Sequence, residues 1–145
     1  MKIAIINGPN LNFTGKREPQ HYGSQNFDEM LKDLSEKYPA HKFSYFQNNV
    51  EGEIINRLHE SDRISEGVIL NAGAYTHTSL AIADAIKAIN IPVIEVHLSN
   101  IFAREDHRHI SHTGACCAGS ISGMGMLGYE LAVISLEKLS ETGKK

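Results

Sequence analysis

Short apolar runs alternate with stretches of helical spacing along the whole chain. Ile3 to Ile6 is a β-rich run stopped by Asn7-Gly8-Pro9, the pattern of a buried strand. Phe27, Met30, Leu31, Leu34 and Tyr38 then recur at helical intervals. Asn26 with Glu29 three residues later reads as a capping box, and Pro39 ends the helix. Phe43 to Phe46 predicts a second strand. Ile54, Ile55, Leu58 and Ile64 predict a second helix, followed by a strand at Val68-Ile69-Leu70. A third helix is expected from about Ser79 to Ile89, with Ile82, Ala83, Ile86 and Ile89 on one face. Asn90 and Pro92 separate it from a strand at Val93-Ile94-Glu95-Val96. A small-residue strand around Cys116 to Ile121 precedes a last helix marked by Leu127, Leu131, Ile134 and Leu139.

Strand–helix alternation this regular predicts an α/β fold, a parallel sheet with helices on both faces. About five strands in 145 residues suggest a flavodoxin-like doubly wound five-stranded sheet forming a single domain over residues 1–145. The chain shows no internal repeat and no linker.

Composition narrows the function classes. Charged residues make up 21% of the chain and the formal net charge is -3, so bulk electrostatics make no case for nucleic acid or anionic membrane as a partner. No stretch approaches the roughly 18 apolar residues that span a bilayer. The first apolar run is too short for a signal-peptide core. Two adjacent cysteines, Cys116 and Cys117, make no disulfide framework, and a reducing cytoplasm is expected.

In a doubly wound fold ligands bind beyond the carboxyl ends of the strands. Three such segments carry the chain's chemistry. Asn7 to Asn12 leads into a long loop with Gly15, Arg17, Pro19, Tyr22 and Gly23; Asn71 to Ser79 follows the third strand; His97-Leu98-Ser99-Asn100 follows the fourth, with Arg104 and Arg108 beyond. The first loop exceeds the usual strand-to-helix connection, and its glycines and prolines suit a lid. A tyrosine of unperturbed pKa about 10 is a poor base at neutral pH, but a nearby arginine favours its anion. Arg17 and Tyr22 read either as such a pair or as decoration of a solvated loop. His77 and His97, at two strand ends, suit proton donation and substrate orientation, or structural hydrogen bonds to backbone. The helix start near Ser79 is expected to aim its amides at the same crevice, where an anion would sit. Asp84 reads as a surface carboxylate or as one reaching a histidine or a neighbouring subunit.

Gly123-Met124-Gly125-Met126-Leu127-Gly128 matches a dinucleotide-binding spacing. Only 17 residues follow it, too few to supply the ribose-binding acid, so these glycines are read as close helix–sheet or subunit packing. His107, His109 and His112 lack zinc-site spacing, and no metal is expected.

Asn7 to Asn12, Arg17-Glu18-Pro19, Tyr22-Gly23, Asn71 to Ser79 and Glu95 to Asn100 together resemble the type II 3-dehydroquinases, in the same order and over nearly the whole chain. The resemblance implies dehydration of 3-dehydroquinate to 3-dehydroshikimate without cofactor or metal, by a homo-oligomer, a dodecamer built as a tetramer of trimers. It implies Tyr22 as the base, Arg17 as the residue that lowers the Tyr22 pKa, Asn10 as the holder of a water on the enolate, and His97 as general acid. Asn71, His77, Leu98, Ser99 and Arg108 would bind substrate, with Asp84 acting at a subunit boundary. The same reaction serves aromatic biosynthesis or quinate breakdown. The chain departs from the family at Phe13-Thr14 and at Cys116-Cys117. Two other readings are a lysine-imine dehydratase using Lys16 and a non-catalytic nucleotide- or flavin-binding module.

Overall fold

A computed structural model describes residues 1–14 and 26–143. Five strands form one sheet: β1 (Lys2–Asn7), β2 (Lys42–Gln47), β3 (Gly67–Asn71), β4 (Val93–His97) and β5 (Gly119–Ser122). All pair in parallel in the order β2-β1-β3-β4-β5, the flavodoxin-like arrangement expected. Between them run helices α1 (Phe27–Lys37), α2 (Glu51–Ile64) and α3 (Leu80–Ala88), and α4 (Leu127–Thr142) closes the fold. Among the described residues no helix is long and apolar enough to cross a membrane.

Strand alternation sorts the core into two layers. Ile3, Ile5, Ile69, Ile94 and Val96 pack under α1 and α4, against Phe27, Met30, Tyr129 and Leu136. Ala4, Ile6, Val68, Leu70 and Val93 pack on the other face, against Ile54 and Leu58 of α2 and Ile82 and Ile86 of α3. The helix caps follow their sequence signals. Asn26 accepts from the Glu29 amide while the Glu29 carboxylate accepts from the Asn26 amide, completing the capping box. Ser79 precedes α3 and its hydroxyl accepts from the Ile82 amide.

Three expectations shift. The strand foreseen around Cys116 begins only at Gly119, because Gly114–Cys116 forms a short 3-10 turn. In α2, Ile64 lies at the exposed last position, and buried Ser61 takes its place on the inner face, its hydroxyl donating to the Arg57 carbonyl. In α4 the four residues that mark the helix are not its most buried: Leu127 is 53% and Ile134 38% exposed and Leu139 only borders the core, whereas Gly128, Tyr129, Ala132, Val133 and Leu136 are buried. The reason is proximity. A Cβ on Gly128 would sit 3.0 Å from Val96 Cγ1, so this helix lies too close to β4 for a large side chain there. The expected role of that glycine in helix–sheet packing holds.

The sheet's switch point lies between β1 and β3, where the chain leaves toward opposite faces. The backbones approach closely there: the Gly8 amide donates to the Asn71 carbonyl at 2.7 Å, and a Cβ on Gly8 would meet Ala72 O at 2.5 Å. Opposite it, Gly73 has φ +59, and its added Cβ would meet Pro9 O at 3.0 Å. Gly8→Ala should therefore cost about 1–3 kcal/mol, the usual penalty of overpacking. Urea unfolding checks this, and unchanged stability would show that the strand ends can part freely.

Candidate active site

The carboxyl ends of β1, β3 and β4 border a cleft of about 270 Å³ lined by Asn10, Asn71, His77, His97, Leu98, Ser99 and Arg108, together with Pro9, Phe13 and Arg104. Seven of the residues named from sequence thus meet in one place. Asp84 does not join them. It lies exposed on α3, 3.6 Å from Lys87 Nζ, away from the cleft of its own chain. Arg17 and Tyr22 lie outside the described residues. The start of α3 does not line the cleft as expected, since its lining on that side ends at His77 and the Ser79 hydroxyl is spent on capping.

Asn10 holds a left-handed backbone (φ 68), alone among the described non-glycine residues. Asparagine tolerates this conformation better than most residues, and such conformations gather at functional sites. The loop after β2 clasps it. Asn10 N donates to Asn49 Oδ1 at 3.1 Å, and Gln47 Nε2 donates to both Asn49 Oδ1 and Gly8 O at 3.1 Å. The Tyr75 hydroxyl donates to Asn49 O at 2.9 Å, tying the β3 loop to the same point.

His77 is half-buried, and its Nδ1 donates to the Ile110 carbonyl at 2.8 Å. A carbonyl can only accept, so the proton of the neutral ring resides on Nδ1 and Nε2 keeps a lone pair. Burial lowers the His77 pKa, an effect the facing His97 and Arg108 reinforce; the Ile110 bond opposes it. A neutral His77 can accept from a substrate hydroxyl through Nε2.

His97 stacks near His77, ring centroids 6.2 Å apart. Its Nε2 lies 3.1 Å from Glu95 Oε2, but the carboxylate is off the N–H axis and Nε2 makes no aligned hydrogen bond. Glu95 is fully buried, and burial alone would raise its pKa. The adjacent His97 and the hydroxyls of Thr113 and Ser111 outweigh that and hold it at about 2. Ser111 donates at 2.8 Å and Ser120 at 2.9 Å. Gly114 completes the enclosure, since any Cβ there would collide with the carboxylate. A buried, ionised carboxylate thus stands beside the His97 ring.

The segment after β4 is pinned from behind. Gly123 N donates to His97 O at 3.1 Å, Gly125 N to Leu98 O at 2.9 Å, and Ser122 Oγ to Ser99 O at 3.1 Å. The glycine-rich run thus works as a backbone clamp on the site. At the rim, Arg108 Nε lies 3.1 Å from Glu105 Oε2, and Arg104 Nη1 makes a long 3.5 Å contact to Ser99 Oγ. Sequence reasoning left Glu95, Asn49 and Arg104 without roles. Glu95 carried a readable signal: a carboxylate inside an apolar strand, two residues from a histidine and so on the same side of the strand.

Comparison with known proteins points to one family. Residues 1–137 match the family model described as Dehydroquinase class II. A protein of Fusobacterium nucleatum named 3-dehydroquinate dehydratase is 52% identical over 94% of this chain and 96% of its own length. Another of that name, from Caldicellulosiruptor saccharolyticus, is 50% identical over 95% and 97%. The crystal structure of type II dehydroquinase from Butyrivibrio crossotus superimposes with a TM-score of 0.90 at 42% identity, covering 94% of this chain and 97% of that one.

The depressed Glu95 pKa makes a prediction about stability. A carboxylate held at about 2 when folded, against 4.5 ordinarily, contributes stability above pH 4.5 that is lost as pH falls toward 2. Acid unfolding curves should show that loss, and Glu95→Gln should reduce the slope in this window; an unaltered slope would mean the carboxylate is not held as described.

Proposed function

The chain belongs to the class II dehydroquinase family and is a carbon–oxygen lyase with 3-dehydroquinate dehydratase activity; from that premise we propose that Tyr22, as tyrosinate, takes the proton alpha to the ketone of 3-dehydroquinate. The C–H electron pair moves into an enolate. The enolate then re-forms the ketone as the beta carbon–oxygen bond breaks, and His97 donates the proton with which the hydroxyl leaves as water. The product is 3-dehydroshikimate. The observation that carries this reading is the convergence of Asn10, Asn71, His77, His97, Leu98, Ser99 and Arg108 on one cleft. Its volume suits a small hydroxylated acid, since it lies below the roughly 300–1,000 Å³ of common drug-sized pockets.

Each remaining role follows from the chemistry of its group. Arg17 lowers the Tyr22 pKa by charge. An enolate needs donors aimed at its oxygen, and Asn10 holds the water that supplies one. Arg108 neutralises the substrate carboxylate, with Ser99, the Leu98 backbone and Asn71 completing its hold. Neutral His77 accepts from a ring hydroxyl. Behind His97 stands Glu95, whose charge survives burial. The assembly is a dodecamer of four trimers, in which Asp84, exposed on its own chain, faces the site of a neighbouring subunit. The exposed Leu80 on the same helix is consistent with such a contact. We assign the reaction to the shikimate route of aromatic amino acid biosynthesis, in the cytoplasm.

Ultraviolet absorbance follows the conjugated product directly. 3-Dehydroquinate with the purified protein and a chelator should give a rising signal, and no signal would overturn the activity. Tyr22→Phe should keep the circular dichroism of the parent and lose about 10²–10⁴-fold in kcat, the usual contribution of a positioned base. Near-normal turnover would remove Tyr22 from that role.

A further inference from the structure

A buried chain of neutral hydrogen bonds runs from the cleft to the last helix, and the mechanism above does not use it. Asn71 Oδ1 accepts from the Gly73 amide at 3.2 Å. A backbone amide can only donate, so the Asn71 carboxamide has one permitted orientation, with Nδ2 on the opposite side. That Nδ2 donates to the Tyr129 hydroxyl oxygen at 3.3 Å. The single phenolic hydrogen is then directed to Asn7 Oδ1, at 2.7 Å. Asn7 Nδ2 in turn donates to the Tyr45 hydroxyl at 3.3 Å. One backbone amide therefore sets the polarity of four side chains in series.

The chain is rigid. Tyr129 is fully buried and Asn7 likewise; Asn71 is 3% exposed. The Tyr129 ring meets Phe27 edge-on at 5.4 Å between centroids, and Phe27 stacks on Tyr45 at 5.7 Å. Burial pushes the Tyr129 pKa far up, so the hydroxyl stays protonated. Asn7 and Asn71 stand opposite each other in the β1–β3 ladder, and only Asn71 reaches the cleft. With one Nδ2 hydrogen taken by Tyr129 and one Oδ1 lone pair by Gly73, Asn71 keeps one donor hydrogen and one lone pair for a ligand.

We propose that Tyr129 and Asn7 are positioning residues: they hold the Asn71 carboxamide so that its remaining N–H meets a hydroxylated acid in the cleft. This rests on the reading of Asn71 as substrate-binding. Without the phenol, Asn71 Nδ2 loses its fixed acceptor, the carboxamide gains freedom to tilt, and one neutral hydrogen bond to the ligand is weakened. A contact made equally in ground and transition states acts on KM and leaves kcat.

The test compares Tyr129→Phe, Asn7→Ala, Asn71→Ala and the core control Val133→Ala, which thins the same helix face away from the chain of hydrogen bonds. Tyr129→Phe should raise KM about 5–10-fold, the scale of one neutral hydrogen bond, with kcat within about twofold. Val133→Ala should lower Tm and leave KM unchanged. In an Asn71→Ala background, Tyr129→Phe should add nothing further to KM, because its effect passes through Asn71. Unchanged KM in Tyr129→Phe, or a full further rise in the double variant, would overturn the proposal while leaving the substrate-binding role of Asn71 intact. Unchanged KM in Asn71→Ala would instead overturn the role of Asn71 and the proposal with it. Should Tyr129→Phe fail to fold, Asn7→Ala carries the same comparison: a KM rise absent from the double variant with Asn71→Ala supports the chain, and an unchanged KM overturns it.

Discussion

Where β1 and β3 end, two backbones run close enough that neither Gly8 nor Gly73 has room for a side chain without displacing its neighbour. That close approach, sealed by the Gly8 amide on the Asn71 carbonyl, sets the geometry of everything beyond it. From this point one chain segment turns up toward α1 and the other toward α3, and the gap between them is the cleft. Asn10, turned into a left-handed conformation, sits on one lip, with Asn71 and His77 on the other. β4, paired with β3 in register, brings His97 and Leu98 alongside.

Two buried polar systems stand behind the cleft, on opposite faces of the sheet, and they differ in kind. Beneath His97 lies a charge: Glu95, enclosed by three hydroxyl donors and an imidazole, kept ionised where burial alone would protonate it. Beneath Asn71 lies a neutral relay through Tyr129 and Asn7, whose direction is dictated by one amide. The distinction fits the roles proposed for the two residues: Glu95 sets a fixed charge beside His97, whereas the neutral relay orients the Asn71 carboxamide and adds no charge beside it.

Much of this was legible in the residues themselves. Strand–helix alternation marked a parallel sheet with helices on both faces, the Asn26–Glu29 spacing marked the start of α1, and three clusters of Asn, His and Arg marked the strand ends. The misses have a common cause. In α4 the buried residues are Gly128, Tyr129, Ala132, Val133 and Leu136, while Leu127 and Ile134 are exposed although they continue the apolar spacing. Which face turns inward depends on the distance to β4, a quantity no local pattern contains. Nothing near Tyr129 in the sequence singles it out, because its partners, Asn7 and Asn71, are 122 and 58 positions away. The loop after β2 gave no hint that Gln47 and Asn49 clasp Asn10 across the sheet.

By itself the sequence determined the element order, the parallel sheet, the family and most of the side chains at the cleft. These follow from local periodicity and from motifs whose members are near neighbours along the chain. Only the tertiary structure decided which helix face is buried, which carboxylate backs His97, how the Asn71 amide is oriented, and that Asp84 points away from its own chain's site. Those outcomes depend on contacts between residues far apart in sequence, and their energies exist only once the sheet has brought the partners within hydrogen-bonding distance.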